Sequence, residues 1–106
     1  MLKITLTDLA DEQRWSLQGQ LVGEWAAELK WTWREAHHTV GTRRCIVDLV
    51  EVTSIDRNGE AVLAEIMSQG AEFISGDVYT EHLLRSLRNK LKRSLIKREK
   101  EDGSNH

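Results

Sequence analysis

The sequence predicts a small α/β protein in which helices pack on a mixed β-sheet of about four strands. Segments of alternating polarity come first, a run that is apolar on both faces lies near the middle, and two stretches of helical spacing separate the extended segments. The order strand, helix, strand, helix, strand implies parallel neighbours joined by right-handed crossovers. With 106 residues, of which 40% are hydrophobic, the chain can bury one modest core.

The first two predicted strands, residues 3–7 and 14–18, flank a polar loop and form an antiparallel pair. Their alternation directs four side chains to the core: Ile4, Leu6, Trp15 and Leu17. A helix over residues 22–36 follows, because its apolar residues return at spacings of three and four. Its apolar stripe consists of Val22, Trp25, Ala26, Leu29, Trp33 and Ala36. Trp31 falls on the opposite face, where its large apolar area makes it a candidate contact with another chain.

Residues 44–50 are apolar on both faces until Asp48, a pattern typical of a central strand covered by helices on one face or both. A second helical stripe follows and is closed by Gly70, and residues 71–74 predict a last short strand. That stripe consists of Val62, Leu63, Ile66 and Met67.

The C-terminal segment predicts a long helix from about residue 80 to about 97, with residues 102–106 frayed. Leu84, Leu87, Leu91 and Leu95 lie on one side of it. Two interpretations stay open: the first leucines cover the sheet while the rest projects into solvent, or Leu87, Leu91 and Leu95 pair with a second copy. We therefore divide the chain into a domain, residues 1–88, and a basic amphipathic helical extension, residues 89–106.

The charge is divided unevenly along the chain. Residues 1–84 contain 14 acidic and 7 basic side chains, whereas residues 85–106 contain 8 basic and 3 acidic ones. Such a tail is a candidate nucleic-acid contact, with its salt-dependent affinity. The tail has no aromatic residue to stack on bases, and the acidic body would repel a polyanion, so a solvated helix is the favoured interpretation.

Several functional classes are disfavoured. No apolar run is long enough to span a membrane, and we expect a cytoplasmic protein. A single cysteine, Cys45, excludes an intramolecular disulfide, and the adjacent His37 and His38 form no metal-ligand spacing with His82. Without a nucleophile motif or a glycine-rich phosphate loop, we expect no enzyme, no metal and no cofactor. A module that senses a small molecule, such as a nucleotide near Asp48 and Asp56, stays open as an alternative.

Residues 55–59, IDRNG, form the turn that bears most on function. A hairpin is disfavoured because the following segment has helical period, and a calcium loop is disfavoured because position 67 is Met67 where that loop needs glutamate. What remains is a helix N-terminus at which Asp56 or Asn58 caps the first turn. A cap alone would need no further function.

Three segments together resemble a STAS domain, the domain of the anti-sigma factor antagonists: LQGQL (17–21), CIVDLVEVTSIDRNG (45–59) and MSQGAEF (67–73). In that family a strand ends in Asp-Leu, and an apolar residue then precedes Asp-Ser-Ser-Gly at the start of a helix. This chain matches at Asp48-Leu49, at Ile55-Asp56 and at Gly59, and the resemblance covers roughly residues 2–88. It implies a non-catalytic module for protein binding in bacterial transcription regulation and signalling.

The resemblance also implies a partner and a binding surface. In the family an anti-sigma factor, which is a protein kinase, phosphorylates the second serine and thereby dissociates the complex. Asn58 occupies that position here and Arg57 the other serine, so we expect a docking module without the usual switch. The expected partner-binding residues are Asp56, Arg57, Asn58, Gly59, Glu60, Ala61 and Ala64.

The C-terminus departs from the family pattern. STAS domains continue after the third helix into a further strand and a final helix, whereas RNKLKR follows Leu87 here. The long helix would therefore replace that strand and helix, and the open edge favours cover by this helix or by a second copy in a homodimer.

Overall fold

The structure, a computed structural model, describes the backbone of residues 1–104 and the side chains of residues 1–96. Four strands and three α-helices alternate after an initial hairpin, with a short 3₁₀ turn at His37–Val40. Their bounds are β1 Leu2–Asp8, β2 Glu12–Leu21, α1 Gly23–Ala36, β3 Arg44–Ile55, α2 Arg57–Ser68, β4 Glu72–Ile74 and α3 Val78–Ser104. The predicted α/β class and the long C-terminal helix are confirmed.

The strands form one sheet in the order β1-β2-β3-β4. β1 and β2 are antiparallel, whereas β2, β3 and β4 run parallel, so the sheet is mixed as predicted. Side chains of α1, α2 and α3 join one apolar cluster with alternate residues of the strands, which places these helices on one face of the sheet. Thr5, Gln18 and Val50 on the other face are exposed. This second face is called the open face below.

The core begins with two buried indoles. Trp15 of β2 and Trp33 of α1 pack with ring centroids 5.1 Å apart. The indole N–H of Trp15 donates to Oε1 of Gln13, and the indole N–H of Trp33 donates to Oε1 of Gln69, both at 3.0 Å. Burying these rings therefore leaves no indole N–H unpaired, and the apolar area fixes α1 on the sheet.

Some predicted core residues are less buried than expected. Leu6 shares the core face with Ile4 but lies at the outer edge of the sheet, where its side chain is 38% exposed and Ile4 is half-buried. Trp25 is half-buried for a similar reason, because it lies on the flank of α1 and not beneath it. The alternation of polar and apolar residues identified the face of the sheet correctly, but it could not show how close a residue lies to the edge of the core.

Two boundaries differ most from the prediction. β3 continues through Ile55, five residues beyond the predicted end, because the second half of β2 supplies ladder partners as far as Leu21. α3 has helical backbone through Ser104, so the predicted fraying does not begin at Asp102. The rest of that prediction, Asn105 and His106, lies outside the described residues.

Along α3, burial decreases toward the C-terminus. Leu84 and Leu87 are buried against α2 and the sheet, Leu91 is half-buried, and Leu95 is 52% exposed. The first interpretation of the leucine stripe is thus confirmed for Leu84 and Leu87. No helix in the described part of the chain is both long and apolar enough to cross a membrane.

Candidate functional site

Two helices begin side by side at the carboxyl ends of β2 and β3. Leu21 and Ile55 are paired in the parallel ladder, and each is the last residue of its strand. α1 starts at Gly23 and α2 at Arg57, so their N-termini point to the same edge of the sheet. This edge therefore concentrates unpaired backbone N–H groups and the positive ends of two helix dipoles.

The carboxylate of Asp56 bridges both helix N-termini. Its Oδ1 accepts from the backbone N–H of Gly59 in α2 at 2.9 Å, and its Oδ2 accepts from the N–H of Gly23 in α1, also at 2.9 Å. The N-cap residue of α1, Val22, has no capping side chain of its own. The hydrogen bond from Gly59, and then that from Gly23, holds the pKa of Asp56 below its ordinary value. The predicted cap is confirmed, and it serves two helices.

This carboxylate also determines what the site can bind. It accepts from one backbone N–H group at each helix end, and its negative charge repels a phosphate there. The geometry thus disfavours a phosphate cradle at the turn and favours a surface read by its side chains.

Gly59, one of the expected partner-binding residues, does not lie on the exposed rim that Arg57 and Asn58 form. It is buried, and a Cβ there would collide with the carbonyl oxygen of Leu21 and lie 2.9 Å from Cγ2 of Ile55. The turn of α2 packs directly on the last residue of β2, and only glycine allows this approach. Arg57 and Asn58, which precede Gly59, are exposed.

A groove of about 340 Å³ starts at this rim and runs between α1 and α2. The buried Ala26 and Val62 form its floor, and the small Ala27 and Ala61 face each other across it. The remaining lining residues are Gly23, Glu24, Lys30, Asn58 and Glu65. The groove thus combines an apolar floor with polar groups at its edges, as a binding surface for a side chain or a peptide requires.

An ion pair connects the two helices at the far end of the groove. The Arg34 guanidinium donates to both oxygens of Glu65, at 2.7 and 3.2 Å. The bidentate contact lowers the pKa of Glu65 and raises that of Arg34. Both groups are partly exposed to solvent, so the ion pair adds little to the stability of the fold.

The expected partner-binding residues fall into two groups. Asn58 and Ala61 line the groove on the α1 side of α2. Glu60 and Ala64 lie on the other flank of α2, and Ala64 packs partly against the core. The structure therefore brings Asp56, Asn58 and Ala61 together and separates them from Glu60 and Ala64.

Trp31 lies close to the groove. It follows Ala27 by four positions in α1 and precedes Arg34 by three, so it neighbours both on the helix surface. Its side chain is 68% exposed. The sequence identified this exposed ring correctly, although no local pattern related it to the turn at Asp56.

Asp48 is not part of the site. It lies in the middle of β3 on the open face, where it accepts from the N–H of Val50 at 2.9 Å and lies 3.9 Å from Nη1 of Arg14. Eight residues of extended strand put it roughly 25 Å from Asp56. A single small ligand cannot contact both carboxylates, because β3 continues beyond Asp48 to Ile55.

Sequence reasoning missed the α1 half of the site. Gly23, Ala27 and Lys30 recur at helical spacing, which could have indicated a second stripe beside the buried one. The hydrogen bond between Gly23 and Asp56 joins residues 33 positions apart, and no local sequence pattern predicts it.

Other reactive groups do not converge. Within residues 1–96, no three His, Cys, Asp or Glu side chains are placed to hold a metal ion. Burial raises the pKa of the half-buried Cys45 thiol, which keeps it protonated. His37 stacks on Trp33, and its Nδ1 lies 2.8 Å from the carbonyl oxygen of that residue.

No known protein family matches the sequence. No curated protein matches it either.

Proposed function

We propose that the chain is a non-catalytic protein-binding module of the STAS, or anti-sigma factor antagonist, type. Its partner would be an anti-sigma factor or another kinase-fold regulator. The observation that carries the proposal is the double cap at Asp56, which joins the two helix N-termini at the start of the α1–α2 groove. The resemblance of residues 45–59 to the family signature supports the same surface.

The proposed contact surface comprises Arg57, Asn58 and Ala61 together with the exposed ring of Trp31. Arg57 and Asn58 supply hydrogen bonds, Ala61 admits a partner side chain into the groove, and Trp31 supplies apolar area. Because the Asp56 carboxylate accepts hydrogen bonds from the backbone of both helices, little ordering would be needed on binding.

The module would lack the family's phosphorylation switch. Asn58 has no hydroxyl to accept a phosphoryl group, and its neutral amide resembles an unmodified serine in charge. The complex would thus persist in the presence of ATP. Phosphorylation of wild-type protein at the exposed Ser54, with loss of the complex, would contradict this part of the proposal.

The test is calorimetric titration against the kinase-fold anti-sigma regulators encoded in the same genome. Ala61→Arg would fill the groove and weaken binding by about tenfold or more. Gln18→Arg adds the same side chain to the open face and should leave the affinity unchanged. Binding to none of these regulators, or equal losses in both variants, would contradict the proposal.

A second candidate function is nucleic-acid binding by α3. The cations of residues 85–93 are all exposed, and none of them forms an ion pair with another described side chain. They are Arg85, Arg88, Lys90, Lys92 and Arg93. Retention on duplex DNA at about 0.15 M salt, lost on neutralising Lys90 and Lys92, would support it; absence of retention would exclude it.

A further inference from the structure

Along the outer edge of β1, the backbone N–H and C=O groups of every second residue are free of the sheet's hydrogen bonds. The N–H of Leu9 donates to the carbonyl of Glu12, and the N–H of Gln20 donates to the carbonyl of Met1, both at 2.9 Å. In the uninterrupted antiparallel register, hydrogen-bonded pairs recur at every second residue, so the odd-numbered residues of β1 bond to β2. The N–H and C=O groups of Leu2, Ile4, Leu6 and Asp8 therefore point away from the sheet.

This edge lacks most of the features that normally prevent strand pairing, although Lys3 and Asp8 lie near its ends. The segment ITLT, residues 4–7, carries no charge, the chain has no proline, and the β1–β2 ladder has no bulge. Apolar area is exposed beside it, at Leu6 (38%) and Leu9 (46%). The opposite edge differs: β4 is three residues long, and the exposed Arg44–Glu72 ion pair, 2.8 Å, lies at its start.

The β1 sequence is complementary to itself in the antiparallel direction. Lys3 lies near its start and Asp8 at its end, so antiparallel pairing separates like charges, whereas parallel in-register pairing would align Lys3 with Lys3. When Thr5 faces Thr5 of a second copy, Ile4 faces Leu6 and Lys3 faces Thr7. Ile4 and Leu6 then meet on the core face and polar side chains meet on the open face, while Leu2 faces Asp8 at each end of the pairing.

The residues whose backbone groups are free are the ones that this register requires to form hydrogen bonds. The pairs Leu2–Asp8 and Ile4–Leu6, each formed twice across the two-fold axis, are those whose N–H and C=O groups point outward. Registers centred on Ile4 or Leu6 use the same groups but pair fewer residues. We propose that the protein forms a two-fold homodimer by antiparallel pairing of β1 with β1, centred on Thr5, which joins two four-stranded sheets into one.

The alternative homodimer would use the leucines of α3. Residues 85–93 carry five cations and no acidic residue, so two such helices would bring like charges together. The β1 edge has no such repulsion, which favours it as the contact between copies. This dimer leaves the α1–α2 groove uncovered, because the groove lies on the α2 side of α1.

The test is the molar mass of the full chain by light scattering at micromolar concentration. We expect about twice the 12.2 kDa of one chain. Thr5→Lys should give the mass of one chain, because two ammonium groups would face each other at the two-fold axis while the exposed side chain leaves the fold intact. Gln18→Lys, with the same added charge on the open face of β2, should remain dimeric.

A mixture of Thr5→Lys and Thr5→Glu chains should regain the dimer mass, since opposite charges then meet. A single-chain mass for the wild type would overturn the proposal. So would a dimer that survives Thr5→Lys but dissociates with Leu95→Lys, since α3 would then be the interface.

Discussion

At the scale of single residues, Asp56 organises the candidate site. A carboxylate has two oxygens, and here each one accepts from the first turn of a different helix. Asparagine at this position would retain one side-chain acceptor, and alanine would retain none. Substitutions at this position can therefore remove one capping hydrogen bond or both.

We expect the thermal midpoint to decrease in the order wild type, Asp56→Asn, Asp56→Ala. Loss of both caps should lower it by roughly 4–8 °C, and loss of one by less. Circular dichroism measures the midpoint, and Asn58→Ala, an exposed neighbour, is the matched control. Equal midpoints for wild type and Asp56→Ala would show that water replaces the carboxylate without cost.

The difference in thermal midpoint between wild type and Asp56→Ala depends on pH. The folded pKa of Asp56 lies below its ordinary 3.8, so the stabilisation is fully present above that value and is lost as the pH falls through the folded pKa. This difference in thermal midpoint should be constant near neutral pH and decrease in acid. A gap that widens in acid would contradict the assigned hydrogen bonds.

Asn58 provides a second prediction at the residue scale. Asn58→Ser would place a hydroxyl at the exposed position that is phosphorylated in the resembling family. We expect the kinase-fold partner to phosphorylate this variant and then release it, because the added charge of about −1.5 to −2 lies beside the Asp56 carboxylate. Intact-mass spectrometry and titration with ATP test it, and Asn58→Ala is the unmodifiable control.

At the scale of elements, α3 divides into a packed and a projecting part. Leu87 is buried, whereas Leu95, two turns later on the same stripe, is 52% exposed. Leu87→Ala should cost about 2–4 kcal/mol through the cavity it leaves. Leu95→Ala, the same chemical change, should cost no more than about 0.5 kcal/mol. Urea unfolding measures both, and similar losses would mean that the projecting turn packs on the body.

The elements also show which features the sequence could predict. Helical spacing identified α1 to within one residue of Gly23–Ala36, because its apolar stripe ends where the helix ends. Polar residues after Val50 concealed the second half of β3, whose length depends on partners in β2. The exposed rim and the cap followed from local sequence, whereas the burial of Gly59 and the bond to Gly23 depend on contacts distant in sequence.

At the scale of the whole molecule, the projecting helix determines the shape. The principal extents are 49, 31 and 24 Å, and the radius of gyration is 14.8 Å. A compact chain of this length would have a radius of gyration of about 13 Å. Small-angle scattering of the Thr5→Lys variant should give a value near 15 Å. A value near 13 Å would mean that α3 folds back on the domain.

The 27-residue length of α3 has a further effect on how the protein moves through solvent. At about 1.5 Å per residue the helix is roughly 40 Å long, most of the longest dimension of the molecule. A rod attached to a compact body raises the translational friction without adding much mass. One chain will therefore elute from a sizing column ahead of a sphere of 12.2 kDa, and its sedimentation coefficient will be low for its mass.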